Sequence, residues 1–450
     1  MLFRSNSNQT SSPEGVAVDA AGNVYVADAY NHRVQRWAPG ATVGVTVAGD
    51  NGQGAADNQL DLPTGVALGP DGSIYIADKQ NNRIQRWVVG NPFGVTVAGG
   101  HGEGPGADQL NYPAAVAVAA DGTLYIADSG NHRVQKWLPG ALAGTTVAGG
   151  NGQGSAATQL SSPLGIVVTG SGTFFVADGG NDRVQRFPAG STYLTAGTTV
   201  AGGNGNGAAA NQLSGPFGLA RDADGNLFIA DESNQRVQRW APGATSGVTV
   251  AGGNGQGPQA DQLKYPHGIA LGPSRAVFIA DTWNSRVQRW NQRPGSPTSV
   301  VTRSGSTTTA TGSLTVSFAA PTATGGSPIT SFGVSCTSAN GGAARIGSGA
   351  ASPVTVTGAT TGKSYTCKVR ATNSVGSGVY SAVSGAVIVG SPPAPTLTGV
   401  TRPNPGQLRV AYTPNGTNGS PLTGFTAACV SANGGASGSK TVTNPAQRAI

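Results

Sequence analysis

Short apolar runs broken by turn-forming residues dominate the first 290 positions, and nowhere do apolar residues recur at the 3.6-residue period of an amphipathic helix. Runs 15–18 and 24–27 cluster β-branched and aromatic residues, and Asp19 to Gly22 between them is rich in turn formers, so the pair predicts a hairpin. A third strand over 33–37 follows the turn Asp28-Ala29-Tyr30-Asn31, and a fourth over 45–48 follows the break at Pro39-Gly40. The unit is a four-stranded meander. One meander cannot bury both of its faces, whereas several packed radially cover one another.

This unit is written six times between residues 13 and 290, in the form PxGVAVDxxGNVYVADxxNxRVQRW, and five times a TVAGG phrase follows it. The Asp that closes its second strand falls at Asp28, Asp78, Asp128, Asp178, Asp231 and Asp281, a spacing of fifty interrupted by one insertion of three. A fixed period near fifty predicts a propeller or solenoid. The words on the strands resemble the NHL repeat, which implies an all-β, six-bladed β-propeller over 13–293. Kelch propellers have a similar period, but their paired glycines follow the second strand, whereas Gly99-Gly100 and Gly149-Gly150 follow the fourth.

The fourth strand is expected only at Val45, Val95, Thr145, Thr198 and Val248, because Asn-Gln-Arg-Pro-Gly-Ser-Pro follows Trp290. The last blade therefore lacks its outer strand in this fragment. Residues 8–13 align with 158–163, which places a TVAGG strand just upstream of Met1; on this reading 1–12 is a partial loop, and 1–5 is a cloning or sequencing scar.

Beyond residue 293 the composition changes. Residues 291–450 hold ten Lys or Arg and no Asp or Glu, whereas 1–290 hold seventeen basic against all twenty acidic residues, so the halves carry +10 and −3. GGSPITSFGVSC, ending at Cys336, recurs as NGSPLTGFTAAC, ending at Cys429, one small β-sandwich length later. TGKSYTCKVRATNSVGSG resembles the penultimate strand and following turn of a fibronectin type III domain, with Tyr365 in the tyrosine-corner position. The resemblance implies one such sandwich over 294–390 and a second, truncated, over 391–450. Phe332, Val334 and Cys336 share one strand face, and Tyr365, Cys367 and Val369 share one face of the strand that neighbours it in this fold. A Cys336–Cys367 disulfide is therefore expected, and the partner of Cys429 is left open. A disulfide and a charged fraction of only 10% fit a secreted or cell-surface protein. No run of eighteen apolar residues offers a membrane span.

Residues identical in all six units sit at six angles around the axis and cannot all touch one asymmetric ligand, so the Asp of VAD and the Arg of NxR read as scaffold. Function is expected where the units differ. The position after the opening proline reads Glu14, Thr64, Ala114, Leu164, Phe217 and His267, which should ring one mouth of the central channel. In NHL-like peptidyl-hydroxyglycine lyases a His in this setting ligates the catalytic zinc, and the resemblance implies such a role for His267. Zinc catalysis needs three protein ligands and an open position. Glu14 adds at best a second, while His32, His101 and His132 belong to outer turns, so neither the lyase activity nor a metal or cofactor is expected. The turns after the second strand add Tyr30 and Trp283, in blades one and six, which become neighbours when the ring closes, and Glu232 of blade five. Glu14, Tyr30, Glu232, His267 and Trp283 are the candidate ligand-binding patch.

The Gly-rich loops precede no helix and read as turns, and no GxSxG element or Cys/His pair points to a hydrolase. The expected function is extracellular binding or adhesion by a monomer. A glycan, peptide or protein ligand would sit on the variable face, with the sandwiches as spacers or as contacts for anionic cell-wall polymers. The alternative is a metal-dependent lyase or lactonase-like propeller enzyme. Specific nucleic-acid binding is disfavoured by the −3 charge of the propeller.

Overall fold

The computed structural model describes residues 8–49, 51–307, 310–390, 394–416, 422–444 and 446–450. The expected scar at 1–5 lies outside these. The chain divides into two compact units, Met1–Gln292 and Arg293–Ile450.

The first unit is a ring of six antiparallel sheets. Blade one consists of Pro13–Val18, Val24–Asp28, Arg33–Trp37 and Val45–Gly49, paired in that order from the axis outwards. Blades two to five repeat it with four strands each, and blade six has three among the described residues, Pro266–Leu271, Val277–Asp281 and Arg286–Trp290. The inner strands pack in sequence around the axis, and the inner strand of blade six packs on that of blade one, so the ring is closed at its centre.

Glycine makes that closeness possible. A Cβ at Gly15 would strike the Thr64 carbonyl oxygen of the next blade, and one at Gly268 would stand 2.6 Å from the Glu14 carbonyl oxygen. Between blades, apolar side chains interlock. Trp87 of blade two shares one cluster with Val34, Ala48 and Leu60, all almost completely buried; removing a side chain such as Val34 or Leu60 from water contributes roughly 1.5–3 kcal/mol.

One departure from the pattern-based reading is local. Each turn after a second strand is a single 3₁₀ turn, as at Ala29–Asn31, ended by a left-handed residue such as His32 at φ 53°. The turn is set by the repeated Asp. Asp128 accepts the Asn111 N–H (2.7 Å), the Asn131 amide (2.8 Å) and the Arg133 Nε–H (2.7 Å). Arg133 then gives three further N–H donors to the carbonyls of Pro105, Gly106 and Gln109, clamping the loop that arrives from blade two. All six repeated Arg side chains are ion-paired with their repeated Asp, which leaves them a structural role. Burial pushes the carboxyls of Asp78, Asp128, Asp178 and Asp231 upward, against the lowering by these hydrogen bonds and charges.

The left-handed residue closing each turn also joins blades. His32 Nδ1 accepts the Leu62 N–H (3.2 Å), Asn82 Oδ1 that of Tyr112 (2.8 Å), His132 Nδ1 that of Ser162 (3.1 Å), Asp182 Oδ1 that of Gly215 (2.8 Å) and Gln235 Oε1 that of Tyr265 (2.7 Å). The donors are the residues before the opening prolines, and Leu62, Tyr112, Ser162 and Tyr265 sit at φ 47–50°. That region costs a non-glycine residue on the order of 1 kcal/mol, offset here by the bond it presents.

In the second unit, Thr298–Thr307, Thr311–Ala319 and Val354–Thr360 form one sheet. Arg345–Gly349, Ser331–Ser338, Ser364–Asn373 and Gly376–Ser377 form the other, with Val387–Ile388 paired to its longest strand. Their facing sides bury Leu314, Val316, Phe332, Val334, Val369 and Tyr365 in one core. Cys336 and Cys367 are directly opposite on adjacent strands and form a disulfide. The Tyr365 hydroxyl donates to the Ala343 carbonyl and accepts the Thr360 N–H, both at 3.0 Å, which locks the corner. Further on, Thr396–Thr401 pairs with Arg409–Thr413 and Phe425–Cys429 with Gly438–Val442, and Cys429 keeps a free thiol.

Candidate functional site

The second residue of every inner strand follows the opening proline at one mouth of the channel. Behind it the strands touch through Gly or Ala, so this residue carries the first side chain that can project into the mouth. The cavity there is narrow, about 80 Å³, lined by Glu14, Thr64, Ala114, Leu164, Phe217 and Gly268.

Ring closure brings residue 267 against residue 14. His267 Nδ1 lies 2.5 Å from Glu14 Oε2, and Nε2 lies 3.4 Å from Glu232 Oε1. Glu232 reaches the mouth because it opens the 3₁₀ turn of blade five. The imidazole stacks on Phe217, ring centroids 4.1 Å apart and planes 3° from parallel, and is almost fully buried. Burial pulls its pKa down, but the hydrogen bonds and charges of Glu14 and Glu232 outweigh that and raise it to about 9. At neutral pH His267 is an imidazolium between two carboxylates. Thr282 of blade six adds a hydroxyl bond to the Pro13 carbonyl (2.7 Å), fastening the same seam.

Trp283, 62% exposed, stands over Tyr265 with ring centroids 4.6 Å apart. The ammonium of Lys264 lies 5.7 Å from the centre of its ring. Together they make an aromatic shelf with one cation. Of the five residues expected to form one patch, Glu14, His267 and Glu232 are in direct contact. Trp283 instead pairs with Tyr265 of its own blade, and Tyr30, 63% exposed, stacks on no ring among the described residues. Phe217 was visible as the ring residue one blade before His267, and its aromatic character was the signal for the stack. Tyr265, immediately before the opening proline, gave no such signal.

The donor set at this mouth decides whether it suits a metal. Both imidazole nitrogens face carboxylates on opposite edges of the ring, so the donors do not converge on one point, and a zinc ligand must be neutral imidazole. The residues do not fit a resident zinc ion. Nor does any other group of three or more His, Cys, Asp or Glu among the described residues form such a cluster.

The family model of the NHL repeat matches residues 10–37, 60–87, 110–137 and 263–290, and that of the fibronectin type III domain matches 295–386. The chain carries NHL repeats and a fibronectin type III domain. The NHL matches fall on blades one, two, three and six, and blades four and five hold the same strand pairing and the same Asp–Arg contacts. No curated protein matches the chain. Among solved structures it is similar to a structural-genomics protein of unknown function from Bacteroides thetaiotaomicron (16% identity, 63% of this chain and 70% of that one, TM-score 0.47). It is also similar to a streptogramin B lyase (12%, 64% and 96%, 0.42) and to a virginiamycin B lyase from Staphylococcus aureus (14%, 63% and 96%, 0.38). A fibronectin type III domain with a disulfide is compatible with an extracellular location. No described helix is long and apolar enough to cross a membrane.

Proposed function

We propose that this NHL-repeat protein is an extracellular binding protein, taking its ligand on the face of the propeller that carries the channel mouth. The observation that carries the reading is the setting of His267, whose ring nitrogens lie against Glu14 and Glu232 and whose face lies on Phe217. Held as a cation by two carboxylates and stacked on Phe217, it is a fixed polar group, and a general base at neutral pH would need a free nitrogen lone pair. The mouth then offers a carboxylate pair with net negative charge, and the Trp283–Tyr265 shelf offers apolar faces. Aromatic faces beside hydrogen-bonding carboxylates suit a glycan or a peptide. The fibronectin-type unit serves as a spacer or surface-attachment module. Its basic side chains would contact anionic polymers; the grouping of Lys368 and Arg370 about the Tyr380 ring, 4.6 and 5.0 Å from its centre, supports this reading.

The test is a glycan and peptide array on the full chain beside a Trp283→Ala, His267→Ala double variant. Loss of the wild-type hits in the variant is expected; identical binding by both would discard the mouth and shelf as the site.

A further inference from the structure

The end of the propeller opposite the channel mouth carries most of its exposed apolar surface. Second strands end and third strands begin at the mouth, so the connections from third to fourth strands gather at the other end; in blades two, three and four these are 88–94, 138–144 and 188–197. Among the described residues of the propeller, fourteen large apolar side chains are exposed. Eleven of them lie in such connections or open the fourth strands, and only Tyr30, Tyr112 and Trp283 lie elsewhere. Apolar residues scattered over a surface need no explanation, whereas their segregation to one end does. Phe93, Leu142 and Leu194 are 56%, 87% and 65% exposed. The equivalent connection of blade five, 241–247, has no large apolar residue, so the fold does not require them.

The backbones that present these side chains are fixed. The Asn91 N–H donates to the Val88 carbonyl (2.9 Å), that of Ala141 to Leu138 (3.0 Å) and that of Thr195 to Thr192 (2.9 Å). The last glycine of each connection, Gly94, Gly144 or Gly197, donates to the carbonyl of Asp57, Ala107 or Ala157 in the loop from the preceding blade, at 2.7–2.8 Å. The rotation that relates the blades puts the three connections at one level, so their tips meet a flat surface together. Cations stand behind the tips. The next-to-last residue of each third strand is Arg86, Lys136 or Arg186 in these blades. Asp71 accepts from Arg86 Nη2 (2.7 Å), but blade four has Ser171 at that position, and Arg186 is exposed. Blade five adds the exposed Arg221, where the other blades have Val or Leu, its guanidinium 5.8 Å from the centre of the Phe175 ring. Neither Arg186 nor Arg221 is ion-paired among the described residues. Around the whole ring, the ends of the first and third strands and the hairpin turns between first and second strands hold eight basic and five acidic residues, although residues 1–290 as a whole carry −3.

We infer that this end of the propeller is a docking surface for an anionic lipid bilayer. Phe93, Leu142 and Leu194 would enter the boundary between headgroups and acyl chains while Lys136, Arg186 and Arg221 meet the headgroup phosphates. A second propeller presenting the same end would bring like charges together, and a level array of separate tips suits a fluid surface better than the shaped, close-packed patch of a protein partner. The channel mouth would then face away from the membrane.

The experiment mixes the full chain with vesicles of phosphatidylcholine alone or of phosphatidylcholine and phosphatidylglycerol, reading the bound fraction by co-sedimentation and the protected amides by hydrogen exchange. Binding to the anionic vesicles is expected to be roughly tenfold stronger than to the neutral ones, with exchange slowed at 88–94, 138–144 and 188–197. The double variant Leu142→Ser, Leu194→Ser, checked for an unchanged melting temperature, should bind the anionic vesicles roughly tenfold or more weakly. Arg186→Gln with Arg221→Val, the latter copying blades one and three, should lower the preference for anionic over neutral vesicles. Equal binding by the serine variant and the wild type, with exchange slowed only in the fibronectin-type unit, overturns the proposal and gives the attachment to that unit's basic side chains. Absence of binding to anionic vesicles overturns it as well. So does a dimer of the chain alone in sedimentation equilibrium that the serine variant abolishes, which would give the surface to a second copy.

Discussion

His267 has both ring nitrogens committed, and this gives it a sharp dependence on its neighbours. Its folded pKa of about 9 lies above the ordinary 6.5, so the stability it contributes is fully present below about pH 6.5 and is lost as pH rises through 9. Melting temperature measured across that window should fall towards alkaline pH, and Glu14→Gln should flatten the profile. In the same variant, proton NMR titration of His267 should give a pKa below 9, moving towards 6.5; an unchanged value would detach the imidazole from Glu14. At this scale the sequence was partly legible. Glu14 and His267 could be placed on one ring because each follows an opening proline. The reach of Glu232 into the mouth, and the pairing of Trp283 with Tyr265 instead of Tyr30, depend on side-chain directions in turns, which the repeat pattern does not encode.

At the scale of the element, five joints between blades carry a bond from the residue before proline to the left-handed residue of the preceding blade. Asn82→Ala removes one such acceptor and leaves the exposed Tyr112 N–H to water, so a loss of about 0.5–1.5 kcal/mol in denaturant unfolding is expected. Substituting a neighbouring solvent-facing polar residue such as Gln80 should cost less than about 0.5 kcal/mol. The position reads His, Asn, His, Asp, Gln and Ser around the ring, always able to accept a hydrogen bond. That regularity was present in the sequence but carried no meaning until the donor, thirty or so residues later, was known. The four strands of each blade were legible because their runs are short, β-branched and bounded by turn formers. The 3₁₀ turns were hidden because one turn of three residues leaves no periodicity to detect.

For the whole molecule, two compact units predict two separable unfolding events. Reducing the Cys336–Cys367 disulfide, whose cysteines are 31 residues apart, should lower the stability of the fibronectin-type unit by about 3–4 kcal/mol on a loop-entropy estimate. Calorimetry with and without reductant checks this: the propeller transition should stay in place, and a shift of both would show that the units unfold together. The division at residues 292 and 293 coincides with the abrupt loss of acidic residues, a compositional change readable from the chain alone. Ring closure was readable only as a count of six units, because the contacts that close it join residues more than 250 positions apart, such as Glu14 and His267.

The seam between blades six and one also sets how the ring breathes. Five joints share the same interlocking core, whereas the sixth has, among the described residues, three buried valines with partly buried neighbours, the Glu14–His267 pair and the Thr282 and Thr10 hydroxyl bonds. Transient opening should therefore begin at that joint. Amide protons of Val24–Asp28 and Arg286–Trp290 would exchange with deuterium ahead of their counterparts in blades two to four, making the propeller behave as a clasped bracelet with a single catch.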